Sequence, residues 1–499
     1  MSKIELTHVC FTYPGNSEPV LEDFSVTLDT SWKTGLIGRN GRGKTTLLTL
    51  LSGKNQPDAG KVVLPCPAGY FPPTVEDTGL TGEELFSTLA FGCPEWKFRR
   101  ELNLLGVGED VLYRPFFTLS GGEQTKLLLG ALFCREDGFL LIDEPTNHLD
   151  ANGRETVAQY LKAKSGFILV SHDRDFLDGC VDHILALNLT GPELQTGNFS
   201  SWWENKQRRD QFELEQNETL KKEIKKLTLS ARQTREWSER AERAKIGFDP
   251  RITEKSAGRR PYQGAKAKKM MARTKDILEK TQRKIRQKEG LLRDLETAAP
   301  LKFAPLSWRG GRLMLLHQVQ LCYGNAPVCR PVDLELCPGD RVAVMGENGA
   351  GKTTLLKLLQ GQDIQMEGLF QHSRELKISY LPQDCSRLSG YPEDLAEQRG
   401  LEKTKFFTLL KKLDLTPEIW QRPMEGYSLG QKKKVMLAAS LCENAHLYLW
   451  DEPLNYIDLW SRMQIEQFIL ESRPTLVFVE HDRAFCRKLA TKRLILSKN

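Results

Sequence analysis

The sequence predicts an α/β fold: two tandem P-loop nucleotide-binding domains joined by a long α-helical hairpin linker. Three observations lead there. First, the glycine-rich segment Gly38-Arg39-Asn40-Gly41-Arg42-Gly43-Lys44-Thr45-Thr46 recurs 308 residues later as Gly346-Glu347-Asn348-Gly349-Ala350-Gly351-Lys352-Thr353-Thr354. The same shift carries Ser120 to Ser428 and Asp143 to Asp451, and His172 and Tyr13 match His481 and Tyr323 to within a residue or two. A repeat of that length is a duplicated domain. Second, each copy contains a continuous apolar run ending in carboxylates, Phe139-Leu140-Leu141-Ile142-Asp143 and Leu447-Tyr448-Leu449-Trp450-Asp451, as suits a parallel strand buried on both faces. Third, the stretch between the copies is charged and helical, with almost no β-branched runs. The expected boundaries are 1–198 for the first domain, 199–300 for the linker with its tip at about 247–262, and 301–499 for the second domain.

A chain of 499 residues exceeds what one core supports, so two large domains and a smaller element are expected. Apolar residues make up 40% and charged residues 27%, ordinary globular values, and no run approaches the length of a membrane span. The first residues, MSKIELTHVCFTY, alternate like a strand and lack the layout of a signal peptide, so a cytoplasmic location is expected. The 11 cysteines are scattered without paired short spacings and read as free thiols rather than a metal or iron–sulfur site.

The glycine loops have a direct physical meaning. Small residues let successive backbone N–H groups close around a β-phosphate while the following helix presents its positive end. In that arrangement Gly38, Asn40, Gly41, Gly43 and Thr46, and their counterparts Gly346, Asn348, Gly349, Gly351 and Thr354, form the ATP cradle. Lys44 and Lys352 reach the β- and γ-phosphates, and Thr45 and Thr353 hold Mg²⁺. The carboxylates divide the remaining work, with Asp143 and Asp451 holding the metal and Glu144 and Glu452 polarising the attacking water.

Leu119-Ser120-Gly121-Gly122-Glu123-Gln124, between the first phosphate loop and its carboxylate strand, resembles the LSGGxQ signature of the ATP-binding cassette superfamily. That resemblance implies that Ser120, Gly121, Gly122, Glu123 and Gln124 contact ATP held by the opposite cassette, as do Ser428, Gly430 and Gln431, so that two cassettes sandwich two ATPs within one monomeric chain. It further implies that Asn147-His148-Leu149-Asp150 and Asn455-Tyr456-Ile457-Asp458 are D-loops. His172 and His481 become the switch histidines at the γ-phosphate, Tyr13 and Tyr323 the aromatics stacked on adenine, and Gln383 a metal- and water-contacting glutamine. Twin cassettes, no membrane domain and a charged helical linker together resemble the ABC-F family of translation factors. The Trp450-Asp451-Glu452-Pro453-Leu454-Asn455-Tyr456-Ile457-Asp458 variant, the lack of a sizeable insert after the first loop and a chain ending 18 residues after His481 resemble its antibiotic-resistance branch, of the Lsa/Vga type.

In the linker, Met271, Leu278, Ile285 and Leu292 fall every seven residues and Leu220, Ile224 and Leu227 form a matching stripe, which predicts two antiparallel helices zipped along a coiled-coil seam. Residues 204–297 hold 27 Lys+Arg against 16 Asp+Glu, net +11, while the whole chain is +6. Residues 232–275 alone hold 14 against 5. Such concentration predicts a polyanionic partner bound through phosphates. The RNA-binding candidates are Arg240, Arg243, Lys245, Phe248, Arg251, Lys255, Arg259, Arg260, Tyr262, Lys266, Lys268 and Lys269. By resemblance the hairpin enters the exit site of the bacterial ribosome, meets large-subunit rRNA and the peptidyl-site tRNA, and points its tip at the peptidyl-transferase centre. There it would displace lincosamides, streptogramin A compounds or pleuromutilins. A housekeeping ABC-F factor that relieves stalled ribosomes and the ATPase subunit of an exporter are the alternative readings.

Two departures from the cassette pattern fall on one composite site. The first cassette reads Gly69-Tyr70-Phe71-Pro72-Pro73 where the second has Ser379-Tyr380-Leu381-Pro382-Gln383, and Leu429 replaces a glycine in the second signature. The site joining the first phosphate loop to the second signature is therefore expected to be the slow one. Lys352, Gln383, Glu452 and His481, with Ser120–Gly122, are expected to form the fast one.

Overall fold

The structure, a computed structural model, describes residues 2–15, 18–135, 138–147, 149–188, 191–246, 280–281, 305–323, 326–347 and 349–498, with the backbone alone for 231, 234, 235, 237–246 and 323. The chain divides into two compact units, residues 1–202 with 298–499, and residues 203–297.

In the first cassette the sheet runs Ala68–Phe71, Phe139–Asp143, Phe167–Val170, Lys33–Gly38, His183–Asn188, Gly191–Thr196. All neighbours pair in parallel except the last two. Phe139–Ile142 and Phe167–Val170 are buried throughout, which explains why these strands read as unbroken apolar runs. The second cassette repeats the order as Ile378–Leu381, Leu447–Asp451, Leu476–Val479, Arg341–Gly346, Lys492–Leu496. Smaller antiparallel sheets built on Lys3–Phe11 and Met314–Tyr323 cover one face of each cassette and close cores around Leu47 and Leu141, and around Leu355 and Leu449. The topology sets the chemistry. The strand carrying the phosphate loop and the strand carrying the carboxylates flank the strand that ends at the switch histidine, so all three deliver their C-terminal ends to one crevice.

The two cassettes meet within one unit. Arg174 is ion-paired with the fully buried Glu466, which also accepts from Lys488 at 3.0 Å. Arg483 lies 2.9 Å from Glu155, Arg487 2.7 Å from Asp175, and Arg39 of the first phosphate loop 2.8 Å from Asp414. The indole of Trp202 meets Trp460 edge-on with ring centroids 6.1 Å apart.

The linker's first arm is a single helix, Phe199–Ile246. Its covered or half-covered positions from Trp203 to Leu227 are Trp203, Lys206, Asp210, Glu213, Asn217, Leu220, Ile224 and Leu227, alternating steps of three and four residues. This is the seven-residue period of a coiled-coil face. The stripe expected at Leu220, Ile224 and Leu227 is present and continues downward through polar side chains. Lys280 and Thr281 are helical, whereas Met271, Leu278, Ile285, Leu292 and the tip at 247–262 lie outside the described residues.

Candidate active sites

Each phosphate loop leaves a buried strand and opens a helix, Lys44–Leu51 or Lys352–Leu359. The residue before each helix must be glycine: Gly43 and Gly351 sit at φ 85° and 87°, a left-handed conformation that side chains resist. The buried ammonium of Lys44 donates to the carbonyl oxygens of Gly38 (2.7 Å) and Arg39 (3.2 Å). Lys352 repeats this on Gly346 (2.8 Å) and Glu347 (3.0 Å). Burial lowers the pKa of both lysines.

The first loop lines a cavity of about 530 Å³ with Tyr13, Thr45, Thr46, Asp143, Glu144, Asn147 and His172, and the far wall comes from the second cassette: Asp414, Leu415, Ile419, Ser428, Gly430, Gln431, Lys434 and Tyr456. The first loop and second signature therefore share one composite site. Tyr13 stands half-exposed at its edge, edge-on to Phe11 at 5.0 Å, with its hydroxyl 3.1 Å from Thr46 Oγ1. A second cavity of about 280 Å³ lies beside Glu452, lined by Gln383, Lys433, Asn455 and Tyr456 together with Asn147 of the first cassette.

Both glutamates occupy left-handed backbone, φ 49° at Glu144 and 47° at Glu452, a strained conformation that packing must hold. Their surroundings differ. Glu452 Oε2 accepts from Gln383 Nε2 (2.9 Å) and Asn455 Nδ2 (2.5 Å), and Oε1 lies 3.6 Å from His481 Nε2. Burial opposes ionisation, but the neighbouring His481 imidazole and the bonds from Gln383 and Asn455 outweigh it and hold this carboxyl below the usual range. Glu144 Oε1 lies 3.3 Å from His172 Nε2 without the alignment of a hydrogen bond and is buried with no hydrogen-bond partner. Burial, then the neighbouring Asp143 charge, pushes Glu144 up to about 7, and burial lowers His172 well below its ordinary value.

The strand-end aspartates differ too. Asp143 Oδ2 accepts from Tyr70 (2.9 Å) and Thr45 (3.1 Å). Both carboxylate oxygens of Asp451 are buried and lack a hydrogen-bond partner, although the nearby Thr353 hydroxyl counters part of the upward push that burial exerts on its pKa. A buried anion left in that state fits a divalent cation beside Thr353. Gln383, expected at the metal, donates its amide nitrogen to Glu452 Oε2 at 2.9 Å, a geometry that orients the glutamate.

Ser120 and Ser428 cap the helices Gly121–Phe133 and Leu429–Cys442 in reciprocal boxes with Glu123 and Gln431. Gln124 is turned away, donating to Phe116 O at 2.9 Å. Leu429, expected to help slow the first site, has a half-exposed side chain that lines the cavity beside Glu452, while Ser428, Gly430 and Gln431 line the first site. The helix turns Leu429 away from the phosphate loop. Gly430 is the position where a side chain cannot fit, since a Cβ there would lie 2.6 Å from Tyr456 O. Gly430→Ala is accordingly expected to push the D-loop off the helix terminus and weaken ATP retention at the first site by roughly tenfold, measured by filter binding.

Thr354 lies partly buried in its helix, Asn348 and His148 lie outside the described residues, and Tyr323 is placed as backbone only. Of the RNA-binding candidates, Arg240, Arg243 and Lys245 fall on the linker helix. Phe248, Arg251, Lys255, Arg259, Arg260, Tyr262, Lys266, Lys268 and Lys269 lie outside the described residues. Sequence reasoning missed Tyr70 on Asp143, Asp414 on Arg39, and the buried lysines Lys432, Lys433 and Lys434. Three lysines in a row resemble a solvated face, and only burial reverses that reading.

Twin phosphate loops, each paired with a strand-end Asp-Glu and a switch histidine, define a two-site nucleotide hydrolase. Residues 21–147 and 329–455 each match the family model described as ABC transporter, and the chain belongs to that family. Its domains bind ATP and it is an ATP hydrolase. Over 99% of its length it is 28% identical to the ribosome protection protein VmlR of Bacillus subtilis, covering 87% of that protein. It is also 28% identical to the probable ATP-binding protein YheS of Escherichia coli K12, over 94% of this chain and 75% of that one. The homology is thus to proteins of the ABC-F type. The fold resembles that of an archaeal ribosome recycling factor, aABCE1, at a TM-score of 0.62 and 19% identity, covering 98% of this chain and 87% of that one. Among the described residues no helix is long and apolar enough to cross a membrane.

Proposed function

We propose that this chain is an ABC-F ATPase that binds the exit-site region of the bacterial ribosome and protects it from drugs of the lincosamide, streptogramin A and pleuromutilin classes. The observation that carries the reading is a linker of net charge +11 inserted between two cassettes that already close on each other. Similarity to VmlR along nearly the whole chain supports it. In this reading ATP closes the cassettes, closure positions the basic hairpin against rRNA and the peptidyl-site tRNA, and hydrolysis times its release. The domains divide at 1–198, 199–300 and 301–499.

At each site the glycine loop and lysine cradle the phosphates; Thr45 with Asp143, and Thr353 with Asp451, would hold Mg²⁺, which would supply charge that neutralises the phosphates. Glu452 orients and deprotonates water, held in its anionic form by Gln383, Asn455 and His481. Glu144, near neutral pKa and lacking a partner on Oε1, makes the first site the slow one, where ATP is retained.

Full-length protein carrying both Glu144→Gln and Glu452→Gln is expected to co-sediment with bacterial ribosomes in ATP, less so as salt rises. Expression of the unaltered chain in a sensitive strain is expected to lower drug susceptibility, and exchange of residues 247–262 for a Gly-Ser loop to abolish that protection. Binding without protection would favour the housekeeping role; absence of binding would overturn both.

A further inference from the structure

We infer that Lys433 is a positioning residue for the second active site, an inference that rests on the reading of Glu452 and Gln383 given above. Its side chain is almost wholly buried, 2% exposed, yet it carries an ammonium. The three donors of that ammonium meet three backbone carbonyls: Pro382 O at 2.8 Å, Asp451 O at 3.1 Å and Gln383 O at 3.2 Å. One cation thus ties the helix Leu429–Cys442 to the loop bearing Gln383 and to the strand end bearing Asp451 and Glu452.

A buried ammonium is expensive to desolvate, and burial lowers the pKa of Lys433 accordingly. An apolar side chain of similar length would fill the same space without that cost. What it could not do is donate to the three converging carbonyls, and Pro382 O would keep only the weak contact from Cys385 Sγ at 3.7 Å. Lys432 extends the tether one residue earlier by donating to Ser386 O at 2.7 Å. The loop from Pro382 to Ser386 is therefore held by its backbone, leaving the Gln383 side chain free to meet Glu452 at 2.9 Å.

The internal repeat supplies a control. The residue 308 positions before Lys433 is Thr125, buried but with no long cation, and the corresponding loop carries Pro73 in place of a glutamine. The lysine and the glutamine occur together in one cassette and are both missing from the other. The phase of the helix explains how the lysine reaches this loop: Leu429 and Lys433, four residues apart, line the cavity beside Glu452, while Gly430 and Lys434 line the first site.

The test uses the full chain in a Glu144→Gln background, so that turnover reports the second site. Lys433→Met and Gln383→Ala are each expected to lower kcat by roughly 20-fold with KM for ATP within about twofold, and the double variant to be no slower than either alone. A merely structural lysine would move KM and Tm together and would combine multiplicatively with Gln383→Ala. Lys433→Gln, which keeps an amide donor, is expected to lose less and replaces the methionine variant should that not fold. Multiplicative losses, or an unchanged kcat, would overturn the inference. Persistence of turnover after Glu452→Gln in the same background would instead overturn the site assignment beneath it.

Discussion

Glu452→Gln is expected to cut steady-state ATP turnover by roughly 50-fold, whereas Glu144→Gln cuts it by no more than about threefold. Both residues follow the aspartate of a buried strand and share a left-handed backbone, so position alone predicts equal losses. Environment separates them. Glu452 is held anionic by the adjacent His481 imidazole and by hydrogen bonds from Gln383 and Asn455, against the push of burial. Glu144 is lifted to about 7 by burial and by Asp143. Equal losses from the two substitutions would sink the assignment.

The same difference fixes a pH dependence. Water activation requires the glutamate ionised. In the Glu452→Gln protein, residual turnover runs through Glu144, which is mostly protonated at pH 6 and mostly ionised at pH 8. That turnover is expected to rise roughly tenfold between those limits. In the Glu144→Gln protein the rate runs through Glu452, already ionised across the window, and should be nearly flat. Coincident profiles would mean that the two carboxyls titrate alike.

What the sequence made legible were groups whose chemistry is set by type and spacing: the glycine loops, the strand-end carboxylates, the signature serines and the seven-residue stripe of the linker. Groups whose role depends on the direction of a side chain were not. Leu429 stands at the right register to erode the first site, and only the phase of its helix shows that it faces the other cavity. Lys432, Lys433 and Lys434 have the pattern of a solvated run but are buried because the helix start is wedged between the two sites. The Arg174–Glu466 pair was hidden for a different reason: the repeat places Ala158 opposite Glu466, and the matching arginine, Arg483, reaches Glu155 instead, so the two contacts do not share a register.

Asp458→Asn is expected to destabilise the paired cassettes by about 3–5 kcal/mol, because it removes the countercharge of a buried lysine. Asp458 and Lys434 are 0% and 4% exposed in their side chains, and Lys434 Nζ donates to Asp458 Oδ2 at 2.7 Å. The aspartate also caps the helix Leu459–Ser472 by accepting from Ser461 N at 3.0 Å. Asparagine keeps that cap, and besides the charge it gives up only the bond that Oδ2 accepts from Ser461 Oγ at 2.8 Å. Lys434 lines the first site with Lys44, and an uncompensated second cation there would also raise the pull on ATP phosphates. Stability and nucleotide retention should therefore move in opposite directions, a result that simple misfolding would not give. Burial pushes the Asp458 pKa up, but Lys434 and the Ser461 amide hold it far below the usual carboxylate range. A depressed pKa stabilises the folded state above the unfolded value of about 3.9 and loses that contribution as pH falls below it. The gap between wild-type and Asp458→Asn melting curves should accordingly stay constant from about pH 8 to pH 5 and narrow only below about pH 4. A gap that closed between pH 7 and pH 6 would show that a group other than Asp458 supplies the charge.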